Sequence, residues 1–149
     1  MPRHGPSPRA ILVVLLVIVA LARGALAADT PSYVVIVHPA STYESIDRRM
    51  LADVFLKKTT RWRSGEPILP VDLVSDARAR ERFSLDVIGR SVQAVKSHWQ
   101  QIIFAGRGLP PPELPDDAAV VRYVASHPGA IGYVSGGAQT AGTRVVAVR

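Results

Sequence analysis

The 149-residue chain contains no cysteine. That excludes a disulfide scaffold, a thiolate metal site, a cysteine nucleophile and a lipid-modified cysteine behind a leader. Aromatic residues are sparse, 6% of the total with only two tryptophans, so each is a local landmark and not part of a stacking surface. Beyond the first residues the histidines are His38, His98 and His127, and none has another histidine or a carboxylate at metal-ligand spacing. Neither a metal nor an organic cofactor is expected. Catalytic patterns are missing as well. Carboxylates are not paired in a convincing context, there is no glycine-rich phosphate loop, and Ser135-Gly136-Gly137 lacks the flanking residues of a nucleophile turn. These absences point away from an enzyme.

There is one long apolar run, Ala10 to Ala22, preceded by the basic residues Arg3, His4 and Arg9 and followed by Ala25-Leu26-Ala27. A basic start, an apolar stretch and a small-x-small triplet form an export signal. The run is about 13 residues, short of the roughly 20 that span hydrocarbon. The expectation is a signal peptide over 1–27 and a single domain over 28–149, not membrane-spanning once the signal is removed and located in the periplasm. The net charge of +6 would fall to about +3 with the loss of Arg3, Arg9 and Arg23. The remaining arginines lie among acids, so the chain carries no nucleic-acid footprint.

Downstream, Tyr33 to Val37 is a β-branched apolar run that reads as a buried central strand. Asp47 is placed to cap a helix whose face is Met50, Leu51, Val54 and Phe55, with Ile46 and Leu51 spaced as a hydrophobic staple. Lys57 and Lys58 suit the C-terminal end of that helix dipole. Ser64 to Pro67 is a turn, and Ile68 to Leu73 a short strand bounded by prolines. Ser75 or Asp76 caps a helix with Ala79, Phe83 and Val87 inward, stopped at Gly89. Ser91 caps another, with Val92, Val95, Trp99, Ile102 and Ile103 as its apolar stripe. Gly108 to Pro112 is a stiff extended loop. Asp116 opens a helix with Val120, Val121 and Val124 inward, and Ala130 to Val134 and Arg144 to Val148 are strands. No repeat or long linker divides the chain. Alternating strands and helices imply an α/β fold, a small mixed or partly parallel sheet flanked by helices, with ligands expected near the carboxyl ends of strands.

Two segments carry a family resemblance. One is Asp53-Val54-Phe55-Leu56-Lys57, followed by Trp62, Gly65 and the strand to Asp72. The other is Pro128-Gly129-Ala130-Ile131-Gly132-Tyr133-Val134. In this order and spacing they resemble the phosphate-type substrate-binding proteins of ABC importers, over about residues 33–135. The resemblance implies a single periplasmic-binding-protein-like lobe, where full-length members close two lobes over a dehydrated phosphate. A lone lobe would need a partner chain or a homodimer to bury an anion from both sides.

In that family the strand matching Val71-Asp72-Leu73 leads into an arginine, a small residue, an aspartate and a Gly-Ser-Gly-Thr run whose backbone amides cradle the anion. Here Val74 holds the arginine position, Ser75 and Asp76 remain, and Ala77-Arg78-Ala79-Arg80 replaces the run. The candidate anion site is therefore Ser75, Asp76, Ala77, Arg78 and Arg80, with an arginine standing in for the lost donors. The plainer role of Ser75 and Asp76 is helix capping. Trp62 reads as a structural plug, Trp99 as core, and Tyr133 as core or rim. Two functions stay open: a solute-binding-like protein taking phosphate or another small anion, with an ABC permease or another periplasmic protein as partner, and a ligand-free interaction or sensor module whose contacts include Pro110 to Pro112.

Overall fold

The computed structural model describes residues 31–149. The leader reading of 1–27 lies outside the described residues. Strand β1 (Tyr33–Val37) sits in the middle of a five-stranded sheet, and Val35, Ile36 and Val37 are all buried, as expected of a strand covered on both faces. Its neighbours are β6 (Ala130–Ser135) and β7 (Arg144–Val148), both antiparallel to it. Beyond them, β2 (Ser45–Ile46) pairs parallel with β7, and β3 (Leu69–Pro70) pairs parallel with β6. The sheet is thus mixed.

The expected strand over 68–73 is split in two. Pro70 has no N–H to give the ladder, and the chain leaves β6 one residue later, once the Val71 amide has bonded the Ile131 carbonyl. The Asp72 amide bonds Pro112 instead, and the Val74 amide bonds Leu114. This makes a separate parallel pair of β4 (Asp72–Leu73) and β5 (Glu113–Leu114). The proline-rich loop before β5 is therefore pinned to the strand that leads into the candidate site.

Helix α1 (Arg48–Phe55) starts where expected: Asp47 accepts hydrogen bonds from the Arg49 and Met50 amides, and Ile46 and Leu51 are both buried. Its end differs. The helix closes at Phe55, and Lys57 takes a left-handed conformation with φ of 54°. The Lys57 amide bonds Val54 and the Lys58 amide bonds Asp53. This is a Schellman closure with lysine where glycine is the usual residue.

Helix α2 (Arg78–Phe83) is capped by neither Ser75 nor Asp76. Ala77 occupies the N-cap position and offers no side-chain bond. The cause lies upstream: the Val74 amide stays paired with Leu114, and a turn closed by the Ala77 amide on the Val74 carbonyl takes up Ser75 and Asp76 before the helix begins. A π-helical turn, Ser84–Ile88, continues the segment to Gly89, whose φ of 72° ends it. Ala79, Phe83 and Val87 are buried as expected. The Ser84 hydroxyl is buried with no partner among the described residues. Ser84→Ala should leave stability unchanged or raise it by about 1 kcal/mol, read from the denaturant midpoint.

Helix α3 (Val92–Phe104) is capped by Ser91, and α4 (Asp117–Ser126) by Asp116. Val120 and Val124 bring α4 onto the sheet. On α3 only Val95 and Trp99 are buried. Ile103 is half exposed, and the last residue, Phe104, points into solvent. The stripe of α3 is longer than the surface available to cover it. Among the described residues, no helix is long and apolar enough to cross a membrane.

Candidate functional site

The region between β4 and α2 is organised by a buried charge cluster. Asp72 ends the apolar run Ile68-Leu69-Pro70-Val71, and its carboxylate cannot stay in that interior without donors. The donors come from three elements. The Leu73 amide bonds Asp72 Oδ1 at 3.1 Å, the Tyr133 hydroxyl of β6 donates to the same oxygen, and Arg80 Nη1 lies 2.5 Å away. Arg80 also donates to the Leu73 carbonyl at 2.7 Å, and its other nitrogen lies 3.4 Å from Glu113 on β5. Asp72 and Arg80 are 5% and 3% exposed, and Tyr133 is fully buried. Phe83 stacks flat on the Tyr133 ring, with centroids 3.9 Å apart.

Burial pushes the Asp72 carboxyl up to about 6, against the opposing pull of the Arg80 guanidinium and the Tyr133 hydroxyl. Burial, and then the Asp72 charge, raise the Tyr133 phenol. Tyr133 therefore acts as a neutral donor.

This arrangement corrects one part of the sequence expectation. The Arg80 guanidinium turns inward, where Asp72 and Leu73 occupy it, and it is not available to an anion at the helix start. The physical reason is the lone carboxylate of Asp72, which needs a cation nearby once it is buried. Arg78 points outward and is exposed.

Ser75, Asp76 and Ala77 come together on an open groove of about 340 Å³. Its other walls are Glu81 and Leu85 beyond the start of α2, and Ser91, Val92 and Gln93 at the start of α3. Lys96, one turn into α3, donates to the Ser75 hydroxyl at 2.9 Å. It was not legible as a site residue, because it lies 21 positions away on a different helix. The groove thus carries two carboxylates, Asp76 and Glu81, beside the uncapped start of α2, and Lys96 reaches it through its bond to Ser75.

The glycine-rich segment serves packing. Gly129 has a φ of 81°, and a Cβ there would lie 2.2 Å from the Pro67 carbonyl oxygen. Its own carbonyl accepts from the Trp62 indole at 3.1 Å and from the Leu69 amide. Trp62 is buried under Tyr43, as a plug would be. At Gly132 a Cβ would lie 2.8 Å from Val120 and 3.0 Å from Val71, so glycine lets α4 seat closely on β6. Tyr133 is the next residue, and it reaches Asp72. Among the described residues no group of three metal-ligating side chains is gathered.

The architecture is that of one lobe of a periplasmic-binding-protein-like fold, a mixed sheet with flanking helices. Solved structures that share it include phosphate-transport proteins. They include an ABC-type phosphate transport receptor from Vibrio cholerae (TM-score 0.61, 14% identity, 78% of this chain and 46% of that one). A structure of a phosphate ABC transporter substrate-binding protein from Clostridium perfringens, solved with phosphate bound, matches with TM-score 0.60 at 17% identity, over 78% of this chain and 44% of that one. PstS from Borrelia burgdorferi matches with TM-score 0.59 at 13% identity, over 79% and 47%. This chain spans less than half the length of each of them. No protein-family profile matches the chain, and no curated protein matches it.

Proposed function

We propose that the chain is an extracytoplasmic solute-binding-like lobe, related to the phosphate-binding component of ABC importers, that docks a small anion such as phosphate at the Ser75–Asp76–Ala77 groove. The observation that carries this reading is the Lys96 ammonium held on Ser75 beside the uncapped start of α2. Arg78, exposed one residue beyond Ala77, supplies the second cation; Arg80 contributes only by holding Asp72. The role is binding, and transport would require a permease partner.

Binding at this groove is weak. One lobe covers an anion from one side only, and Asp76 and Glu81 line the same groove. An affinity of about 1 mM corresponds to roughly −4 kcal/mol. At about 10 mM phosphate, that affinity raises stability by roughly 1.4 kcal/mol. Calorimetric titration with phosphate and with sulfate, paired with a thermal-shift series, checks this. Lys96→Ala and Arg78→Ala should each reduce the shift. No heat and no shift at about 10 mM of either anion defeats the reading.

A second reading has its own observation in favour. Arg80 is consumed internally and Val74 stands where the family places an arginine, so the strongest anion donors are gone. A lobe that kept the fold and lost the ligand would act as an interaction or sensor module in the periplasm, alone or as a homodimer. Failure of the anion titration together with a stable complex with another chain would select it.

A further inference from the structure

The apolar stripe of α3 exceeds what the fold covers, and Trp99 and Ile102 of that stripe line a groove that shares no residue with the charge cluster. About 400 Å³ lies between the end of α1 and the end of α3. Leu56, Trp99, Ile102 and Leu109 give the groove its apolar lining. Lys57 and Arg107 are its charged lining residues, and no carboxylate lines it. Among the described residues neither cation has a salt-bridge partner, and the nearby Lys58 has only a 3.7 Å pairing with Asp53. Leu109, in the groove wall, is 67% exposed. An apolar groove with a large side chain at that exposure in its wall marks an interaction surface more often than a free one.

We infer that this groove is a docking surface for an acidic amphipathic helix of a partner protein, its apolar stripe in the groove and its flanking carboxylates on Lys57 and Arg107. Charge complementarity selects the occupant. A second copy of this chain seated face to face would set Lys57 and Arg107 against their own kind. An anionic bilayer would satisfy the cations, but a flat surface leaves the floor between two helix ends unfilled. A helix with apolar residues on successive turns fills such a furrow.

The backbone supports the role of Lys57. It occupies the left-handed closing position of α1, where a side chain is disfavoured and glycine is the usual residue. Replacing it by glycine therefore removes the cation without harming the fold. This surface is separate from the anion groove, and its occupancy does not depend on phosphate.

The test uses the full chain and two labelled peptides of about 16 residues, both with leucines on one helical face. One carries glutamates on the flanks and the other lysines. In fluorescence anisotropy the glutamate peptide should bind at least about tenfold tighter than the lysine peptide, and added salt should weaken it. Lys57→Gly should weaken it about tenfold while the melting temperature holds or rises. Leu109→Ser should weaken it comparably, and about 10 mM phosphate should change nothing. Absent binding, equal binding of the two peptides, or binding indifferent to both substitutions overturns the inference. Sedimentation with phosphatidylglycerol vesicles without peptide binding overturns it in favour of a membrane. A dimer that Leu109→Ser dissociates, without peptide binding, overturns it in favour of self-association.

Discussion

Arg80→Met is expected to cost the fold about 3–5 kcal/mol at pH 8, because it leaves the Asp72 carboxylate buried beside a hydroxyl and one amide with no cation. The loss should shrink toward pH 5. In the wild type, burial raises the folded Asp72 carboxyl from 3.8 to about 6. The stability linked to its protonated form is fully present below the unfolded value and is lost as pH rises through the folded one. Without Arg80 the main force holding that carboxyl down is gone, so the folded value climbs further and the loss extends to higher pH. The gap between wild type and variant therefore widens from pH 5 to pH 8. Denaturant unfolding at the two pH values measures it. A gap that is constant with pH, or below about 1 kcal/mol, would mean that the pair carries no such burden. Asp72→Asn, which imitates the protonated carboxyl, should be milder at pH 8 than Arg80→Met.

Gly129→Ala is expected to destabilise by about 3 kcal/mol or more, a fall in melting temperature of roughly 10 °C for a domain of this size. Two costs add. A side chain at φ of 81° is strained, and its Cβ would lie 2.2 Å from a backbone oxygen, which cannot rotate away. Any relief by shifting the Pro67 turn also disturbs the Trp62 indole bond to the Gly129 carbonyl. Gly132→Ala is the instructive control. Its close neighbours are methyl groups of Val120, Val71 and Val124, so its cost is packing strain without backbone conflict. It should be the milder of the two. Equal melting temperatures for the Gly129 variant and the wild type would remove the packing account of this segment.

The resemblance read from the sequence rested on two segments, and the structure gives both a structural reason. Trp62, Gly65 and Pro67 build a turn that meets Gly129, while Gly132 and Tyr133 seat α4 and reach Asp72. In this chain both segments serve packing. The segment that the resemblance assigns to anion binding is the altered one, and that difference was legible as Val74 and Ala77-Arg78-Ala79-Arg80. The direction of Arg80 was not legible. Arg78, Arg80 and Arg82 look alike on a helix start, and only the position of Asp72 across the β4–α2 corner tells which one turns inward.

Caps and core stripes were open to direct reading, because they depend on residues three or four positions apart. Asp47, Ser91 and Asp116 cap as expected, while Ser75 and Asp76 do not. The exception arises where a tertiary bond, Val74 to Leu114, overrides local preference.

The sequence alone determined the alternation of strands and helices, the buried central strand, three of the four helix starts among the described residues and the absence of cysteine chemistry. Each follows from short-range periodicity or composition. Only the tertiary structure decided that the strand through Val71 changes partners, that Arg80 is spent on Asp72, that Lys96 arrives at Ser75, and that α3 leaves an uncovered apolar furrow. Those outcomes depend on which distant segments share one interior. Burial makes an unpaired charge costly, so the interior assigns each polar group its partner, and no local pattern carries that information.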